Sequence, residues 1–319
     1  MPFWHSSWTQ QSIWTPSAQG GGATDAGTHQ SIWSSESVEL MPPGQSVEVS
    51  SHRIFVDLHL NFDIQPLKAG QLSRSLELMA GVASLSVSLS VLNWQAYCVD
   101  TIYGIMGRNL LNVFVQERIL KMVAAGVFAF IHLGLICTSW TRLANPPYRS
   151  TKELDGLKSL SPEKAKWVKE QNILHDFSLR VCEVSKKSKI TVANKRHKVL
   201  CSLENGDTTM VWDHPKTKKT CTEGEGNDNG CFHRTAMCQW GLPWRKTTKI
   251  WATRRIEGIE RLCTCGTSHD EAIKGSVKIR LAASEKKKSK WVSRSSVASA
   301  YAPSLCDAWA AKVDAMFRP

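Results

Sequence analysis

The stretch Val127-Phe128-Ala129-Phe130-Ile131-His132-Leu133-Gly134-Leu135-Ile136-Cys137-Thr138-Ser139-Trp140-Thr141-Arg142 decides the reading of this chain. Its first seven residues are mostly apolar, rich in β-branched and aromatic types, and too few for a typical helix. They read as a buried strand of a parallel sheet. The run breaks at Gly134 and delivers Cys137, Thr138 and Ser139 into a loop just past the strand's carboxyl end. In open α/β sheets that edge is where ligands bind. A thiol there acts as a nucleophile when its pKa is lowered, and otherwise is a small buried filler.

Working outward, residues 76–79 predict a strand that ends in the small-residue turn Ala80-Gly81-Val82-Ala83-Ser84 and opens an amphipathic helix over 85–92. A short strand over 95–99 closes with Asp100, and 116–125 are helical in period up to Gly126. A long helix is expected over 162–184, with Pro162 in its first turn and Ser161 as its cap. Residues 199–203 predict a strand stopped by Glu204-Asn205-Gly206, and two more strands are expected over 235–240 and 248–252. A final helix over 304–317 follows Pro303. Strands alternating with helices imply an α/β, doubly wound, mostly parallel sheet filling residues 71–319. Residues 1–70 read as a disordered low-complexity tail, rich in Ser, Gln, Gly and Thr, with candidate short strands at 47–62.

The 319 residues suffice for one large domain or two small ones, and 42% hydrophobic content with a mean hydropathy of -0.24 fits a globular protein. The longest apolar run, 124–137, contains His132 and is too short to span a bilayer. The first residues lack a basic region followed by an apolar one, so no signal peptide is read and an intracellular, nuclear protein is expected. A net charge of +12 points to a polyanionic partner, with nucleic acid first. The basic runs at 186–189, 195–198, 216–219 and 286–290 carry much of the excess, although solvated loops produce such runs too. Ten cysteines lack the density of a disulfide scaffold and read as reduced thiols.

Three strand ends should cluster in such a sheet: the turn after Met79, Asp100, and the loop at Cys137. A turn of small residues lets the backbone approach a cofactor, and an acid after the next strand suits ribose hydroxyls. Glu204 should face the same edge as Cys137. A buried carboxyl near a thiol has a raised pKa and can protonate a ring nitrogen. A plain turn would also satisfy Glu-Asn-Gly. Cys231, His233 and Cys238, with Cys263, Cys265 and His269, could supply four ligands to a structural zinc. Neither group shows paired Cys-x-x-Cys spacing, so the sequence assigns no metal.

Taken in order, Leu76-Glu77-Leu78-Met79-Ala80-Gly81, Val99-Asp100, Gly134-Leu135-Ile136-Cys137-Thr138-Ser139-Trp140 and Glu204-Asn205-Gly206 resemble the cytosine-5 DNA methyltransferase family. The likeness is greatest to its compact versions in phages and in retroelement-like genes of dinoflagellates. Cys238-Gln239-Trp240-Gly241 with the Lys246-Thr247-Thr248 segment, the Cys/His loop at 263–269, and Ser299-Ala300-Tyr301-Ala302-Pro303 fit the same subgroup. The resemblance implies a Rossmann-like fold that binds S-adenosylmethionine through Met79, Gly81, Ala83, Asp100 and Asn109. It implies Cys137 as nucleophile on a flipped cytosine of DNA and Glu204 as its acid partner. Ser139, Asn205, Arg245, Lys246 and Thr248 would then contact substrate. The family's aromatic-x-Gly-x-Gly-Gly turn is reduced here to one glycine, Gly81. The alternative is therefore a catalytically inactive, nucleic-acid-binding remnant of the same fold from a mobile element.

Overall fold

A computed structural model describes residues 56–57, 65–68, 71–81, 83–100, 109–192, 195–222, 230–266, 269, 276–280, 289–293 and 301–318. The expected low-complexity tail lies outside these, apart from a few positions near its end. In chain order the elements are β1 (Val56–Asp57), β2 (Arg74–Leu78), α1 (Ser84–Val91), β3 (Gln95–Val99), α2 (Val113–Ala124), β4 (Phe130–Gly134) and α3 (Pro162–Lys187). They continue as β5 (Lys189–Val192), β6 (Lys195–Lys198), β7 (Leu200–Gly206), α4 (Pro215–Thr220), β8 (Cys231–Ala236), β9 (Thr247–Ala252), β10 (Ser276–Arg280), β11 (Ser289–Ser293) and α5 (Pro303–Ala315). Residues 53–273 and 300–319 belong to one compact unit, and the β10–β11 hairpin belongs to another.

The main unit is a seven-stranded sheet in the order β1-β3-β2-β4-β7-β9-β8. Pairing is parallel from β1 through β7, whereas β9 runs antiparallel to both β7 and β8. This is a doubly wound, mostly parallel, Rossmann-like α/β fold. Val56–Asp57 shows that part of the 47–62 stretch joins the main sheet, beside β3. From β2 the chain crosses to β3 on one side, and from β3 it returns past β2 to β4. Right-handed crossovers then put α1 on one face and α2 with α3 on the other. The switch in direction falls between β2 and β4, and the carboxyl ends of that pair bound the crevice such sheets offer to ligands. Among the described residues no helix is long and apolar enough to cross a membrane.

Four sequence expectations are corrected. Helix α1 is not amphipathic, because Ser84, Leu85, Ser86, Ser88, Leu89 and Ser90 are all buried. Its serines tolerate burial because their hydroxyls find acceptors: Ser88 donates to Asp307 Oδ1 at 2.7 Å and Ser90 to the Val87 carbonyl at 2.7 Å. Helix α2 starts three residues earlier than its period predicts. Asn112 caps it by accepting from the Phe114 N–H at 2.9 Å, while the exposed Val113 and Phe114 blur the apolar stripe. Ser161 precedes α3 but makes no side-chain cap. The strand expected over 235–240 ends at Ala236, and Met237–Trp240 is a 3-10 turn closed by Gly241 at φ 89°.

The close approach of two strand ends explains Gly134. A Cβ there would stand 3.0 Å from the Met79 carbonyl and 3.5 Å from the Tyr301 hydroxyl. Gly134→Ala is expected to destabilise by about 1–3 kcal/mol, read by urea unfolding, because backbone rather than a yielding side chain lies in the way. A loss below about 0.5 kcal/mol would show that the two ends can part freely.

Candidate active site at the carboxyl edge of the sheet

Strand β4 ends at Gly134, directly opposite Glu204 on β7. Asn205 fastens the two ends together: its Nδ2 donates to the Leu135 carbonyl at 3.0 Å. Beyond that link the chain turns at Cys137, whose carbonyl accepts from the N–H groups of Trp140 and Thr141, both at 2.9 Å. The thiol is half-buried. Burial pushes its pKa up, the Lys246 ammonium pulls it down, and the Glu204 carboxylate pushes it up. Sulfur, carboxyl and ammonium thus lie near enough to feel one another electrostatically, although Cys137 and Glu204 are 67 positions apart in the chain.

Glu204 is buried, and burial raises its carboxyl pKa against the opposing pull of Lys246, Tyr301 and Thr248. The Tyr301 hydroxyl donates to Glu204 Oε2 at 2.8 Å. It also lies 3.0 Å from His132 Nε2, and His132 Nδ1 lies 3.0 Å from the Ser202 hydroxyl. Burial holds the His132 pKa at about 3, so its ring is neutral at ordinary pH. The result is a continuous polar row from Ser202 through His132 and Tyr301 to Glu204.

Lys246 reaches this edge of the sheet because β9 is reversed. The amino end of an antiparallel strand lands at the carboxyl edge of its parallel neighbour, and Thr248 stands opposite Gly206 in register. The Lys246 ammonium lies 5.9 Å from the Tyr301 ring centroid. Thr248 is fully buried, and its hydroxyl has no hydrogen bond of good geometry yet stays close enough to lower the Glu204 pKa. Arg245 is exposed on the same connection.

Across the switch point, the 79–83 turn follows β2. Its Gly81 N–H donates to Asp100 Oδ2 at 2.8 Å, which locks the turn to the end of β3. A Cβ on Gly81 would meet nothing within 4 Å, so open space borders the backbone there. Met79, Gly81 and Ala83 all sit near φ +55°. That left-handed conformation is free for glycine and costs about 1–2 kcal/mol for other residues. No side chain caps the start of α1 behind the turn.

The remaining expected residues are placed differently. Ser139 is fully buried, and both its hydroxyl and its carbonyl accept from Arg149 at 3.1 Å. Asn109 is exposed, and its Oδ1 closes its own turn by accepting from the Leu111 N–H at 2.9 Å. Sequence reasoning gave no role to His132 or Arg149, and quoted Tyr301 only within a motif. The buried Arg149 stacks 3.6 Å over Trp140 and also donates to Asn172 Oδ1 at 2.7 Å. It thereby sets the path of the chain leaving Cys137. A lone arginine in a loop carries no pattern that announces such a clamp.

Fold and site together define a Rossmann-like α/β domain with a thiol, a carboxyl and an ammonium close together at the carboxyl edge of the sheet, across the switch point from the 79–83 turn. No family model matches the chain, and no curated protein does. Among solved structures it is similar to the Entamoeba histolytica methyltransferase EhMeth, at 12% identity with a TM-score of 0.33. That match covers 62% of this chain and 58% of the other, so the chain spans less than two thirds of that protein's length.

Proposed function

We propose that this protein is an S-adenosylmethionine-dependent methyltransferase acting on cytosine in DNA. The nearness of the Cys137 thiol, just past the end of β4, to the Glu204 carboxyl on the neighbouring β7 carries the reading. Met79, Gly81, Ala83 and Asp100 would hold the cofactor, and the open space beside Gly81 suits a nucleoside. When bound, S-adenosylmethionine supplies an electrophilic methyl group for carbon 5 of the base.

The chain's own groups do the rest. A base turned out of its duplex enters the cleft. The Cys137 thiolate adds to carbon 6, forming a sulfur–carbon bond, while Glu204 passes its proton to ring nitrogen 3. Carbon 5 thereby gains enamine character. Once carbon 5 carried the methyl group, a water molecule acting as base would take the carbon 5 proton, the sulfur–carbon bond would break with its electron pair returning to Cys137, and the proton on nitrogen 3 would return to Glu204. The electrostatics suit this division of labour. A protonated Glu204 withdraws the negative charge that opposes Cys137 ionisation, and Lys246 favours the thiolate. Surface lysines and arginines would meet the phosphates, giving salt-dependent DNA binding.

Calorimetric titration with S-adenosylmethionine, paired with transfer of labelled methyl groups to duplex DNA and to RNA, tests the proposal. Saturable cofactor binding and label on DNA cytosine are expected. Salt-dependent DNA binding without any cofactor binding would instead identify an inactive remnant, and label on RNA alone would change the substrate.

A further inference from the structure

Away from the cleft, the side chains of Cys238, Cys263, Cys265 and His269 converge so that their ligand atoms all lie within 4.8 Å of one another. Cys263 Sγ is 3.5 Å from His269 Nε2. Tetrahedral zinc, with bonds of about 2.3 Å to sulfur and about 2.0 Å to nitrogen, sets its ligand atoms roughly 3.5–3.8 Å apart. Bringing the widest pair to that spacing takes a movement of about one ångström.

The histidine is oriented for the task. Its Nδ1 lies 3.3 Å from the Pro243 carbonyl, which can only accept, so the proton sits on Nδ1 and the Nε2 lone pair faces Cys263. A backbone carbonyl on the far ring nitrogen is the usual outer partner of a metal-bound histidine. Gln239 Nε2 adds a donor 3.3 Å from Cys265 Sγ, which suits a thiolate. The same geometry sorts the six candidate ligands of the sequence. His233 is buried on β8, where Nδ1 faces Glu260 Oε1 at 3.2 Å and Nε2 accepts from the Ile256 N–H. Cys231, also on β8, stays outside the cluster.

We propose that Cys238, Cys263, Cys265 and His269 bind one structural zinc ion. Three sulfurs and one imidazole form a set that prefers zinc to harder divalent ions, and four protein ligands leave no open position for chemistry. The ion joins the 3-10 turn after β8 to the segment following β9. Met237 in that turn donates to the carbonyls of Arg245 and Lys246, at 3.0 and 3.3 Å. The Trp240 carbonyl accepts from the Ser304 hydroxyl at 2.6 Å, close in sequence to Tyr301. The zinc therefore braces the base of the connection that presents Lys246.

The full chain, purified with zinc in the medium, is expected to carry about one equivalent of the metal. Alkylation of the native protein, mapped by mass spectrometry, should find Cys238, Cys263 and Cys265 protected and then reactive after chelation, with Cys231 unchanged. Cobalt exchanged into the protein should show thiolate charge-transfer absorption. Cys263→Ser with Cys265→Ser should lose the metal, while Cys231→Ser and His269→Cys retain it. Equal alkylation of the exposed Cys265 with and without zinc would overturn the proposal, as would an intact mass short by two hydrogens, which marks a disulfide. Zinc lost from Cys231→Ser would also overturn it. None of these readouts requires methyl transfer, so the metal and the enzymatic reading stand or fall separately.

Discussion

Cys137→Ser is expected to lower single-turnover methyl transfer at least about 10³-fold, equivalent to roughly 4 kcal/mol of transition-state stabilisation. Serine keeps the shape of the half-buried side chain and its place between β4 and Trp140. What it loses is nucleophilicity, because a hydroxyl yields far less anion than a thiol under the same field. Lys246 favours the anion at this position, yet the burial that already raises the thiol's pKa would weigh against an alkoxide too. Cofactor affinity and thermal unfolding should match the parent protein, since the variant leaves the 79–83 turn and the core intact. A loss of less than about tenfold, with folding preserved, would remove Cys137 from the chemistry.

Glu77→Gln is expected to stabilise the protein at alkaline pH and to flatten its stability profile. Glu77 lies inside β2, almost fully buried, and its Oε2 accepts from the Ser86 N–H at 2.9 Å and the Ser86 hydroxyl at 2.6 Å. Burial dominates those two bonds and lifts its carboxyl from 4.5 to about 7, with nearby Asp100 adding to the rise. A carboxyl raised on folding holds its proton more tightly in the native than in the unfolded chain. Its favourable contribution is therefore fully present below about pH 4.5 and is lost as pH climbs through 7. That shift corresponds to roughly 3 kcal/mol at full ionisation, as an order of magnitude. Glutamine keeps an oxygen to accept from Ser86 and carries no charge. Urea unfolding at pH 5 and at pH 8 should show the two proteins close together at the lower pH and the variant ahead by about 1–3 kcal/mol at the higher. Parallel profiles across that range would mean that Glu77 does not titrate there.

Much of the architecture was legible because it is written locally. The strand at Gln95–Val99 and the run through Phe130–Gly134 are short apolar segments stopped by a loop, and Pro162 and Pro303 mark helix starts. From strands alternating with helices, the parallel sheet follows, and with it the common edge that gathers Cys137 and Glu204. What escaped was set by distant partners. The helix at α1 was expected but its burial on opposite sides was not, because that depends on Ser86 meeting Glu77 of β2 and Ser88 meeting Asp307 of α5. Tyr301 reaches Glu204 across 97 residues, and which four of the six candidate metal ligands come together is decided by packing from both sides of β9. Neither association has a signature in spacing, since each depends on which distant segments pack together.

The pairing of α1 with α5 has a bearing on how the polypeptide comes into being. Besides the Ser88–Asp307 bond, Trp94 Nε1 donates to Asp314 Oδ1 at 2.8 Å, so α1 and Trp94 just beyond it are tied to a helix about 220 positions further along the chain. During folding, one flank of α1 stays uncovered until α5 docks on it. Contacts of such long sequence separation slow folding and lengthen exposure to aggregation. A shortened version lacking α5 would strip Trp94 of its Asp314 and Phe317 contacts and Ser88 of its Asp307 acceptor, even with every candidate site residue up to Tyr301 still present.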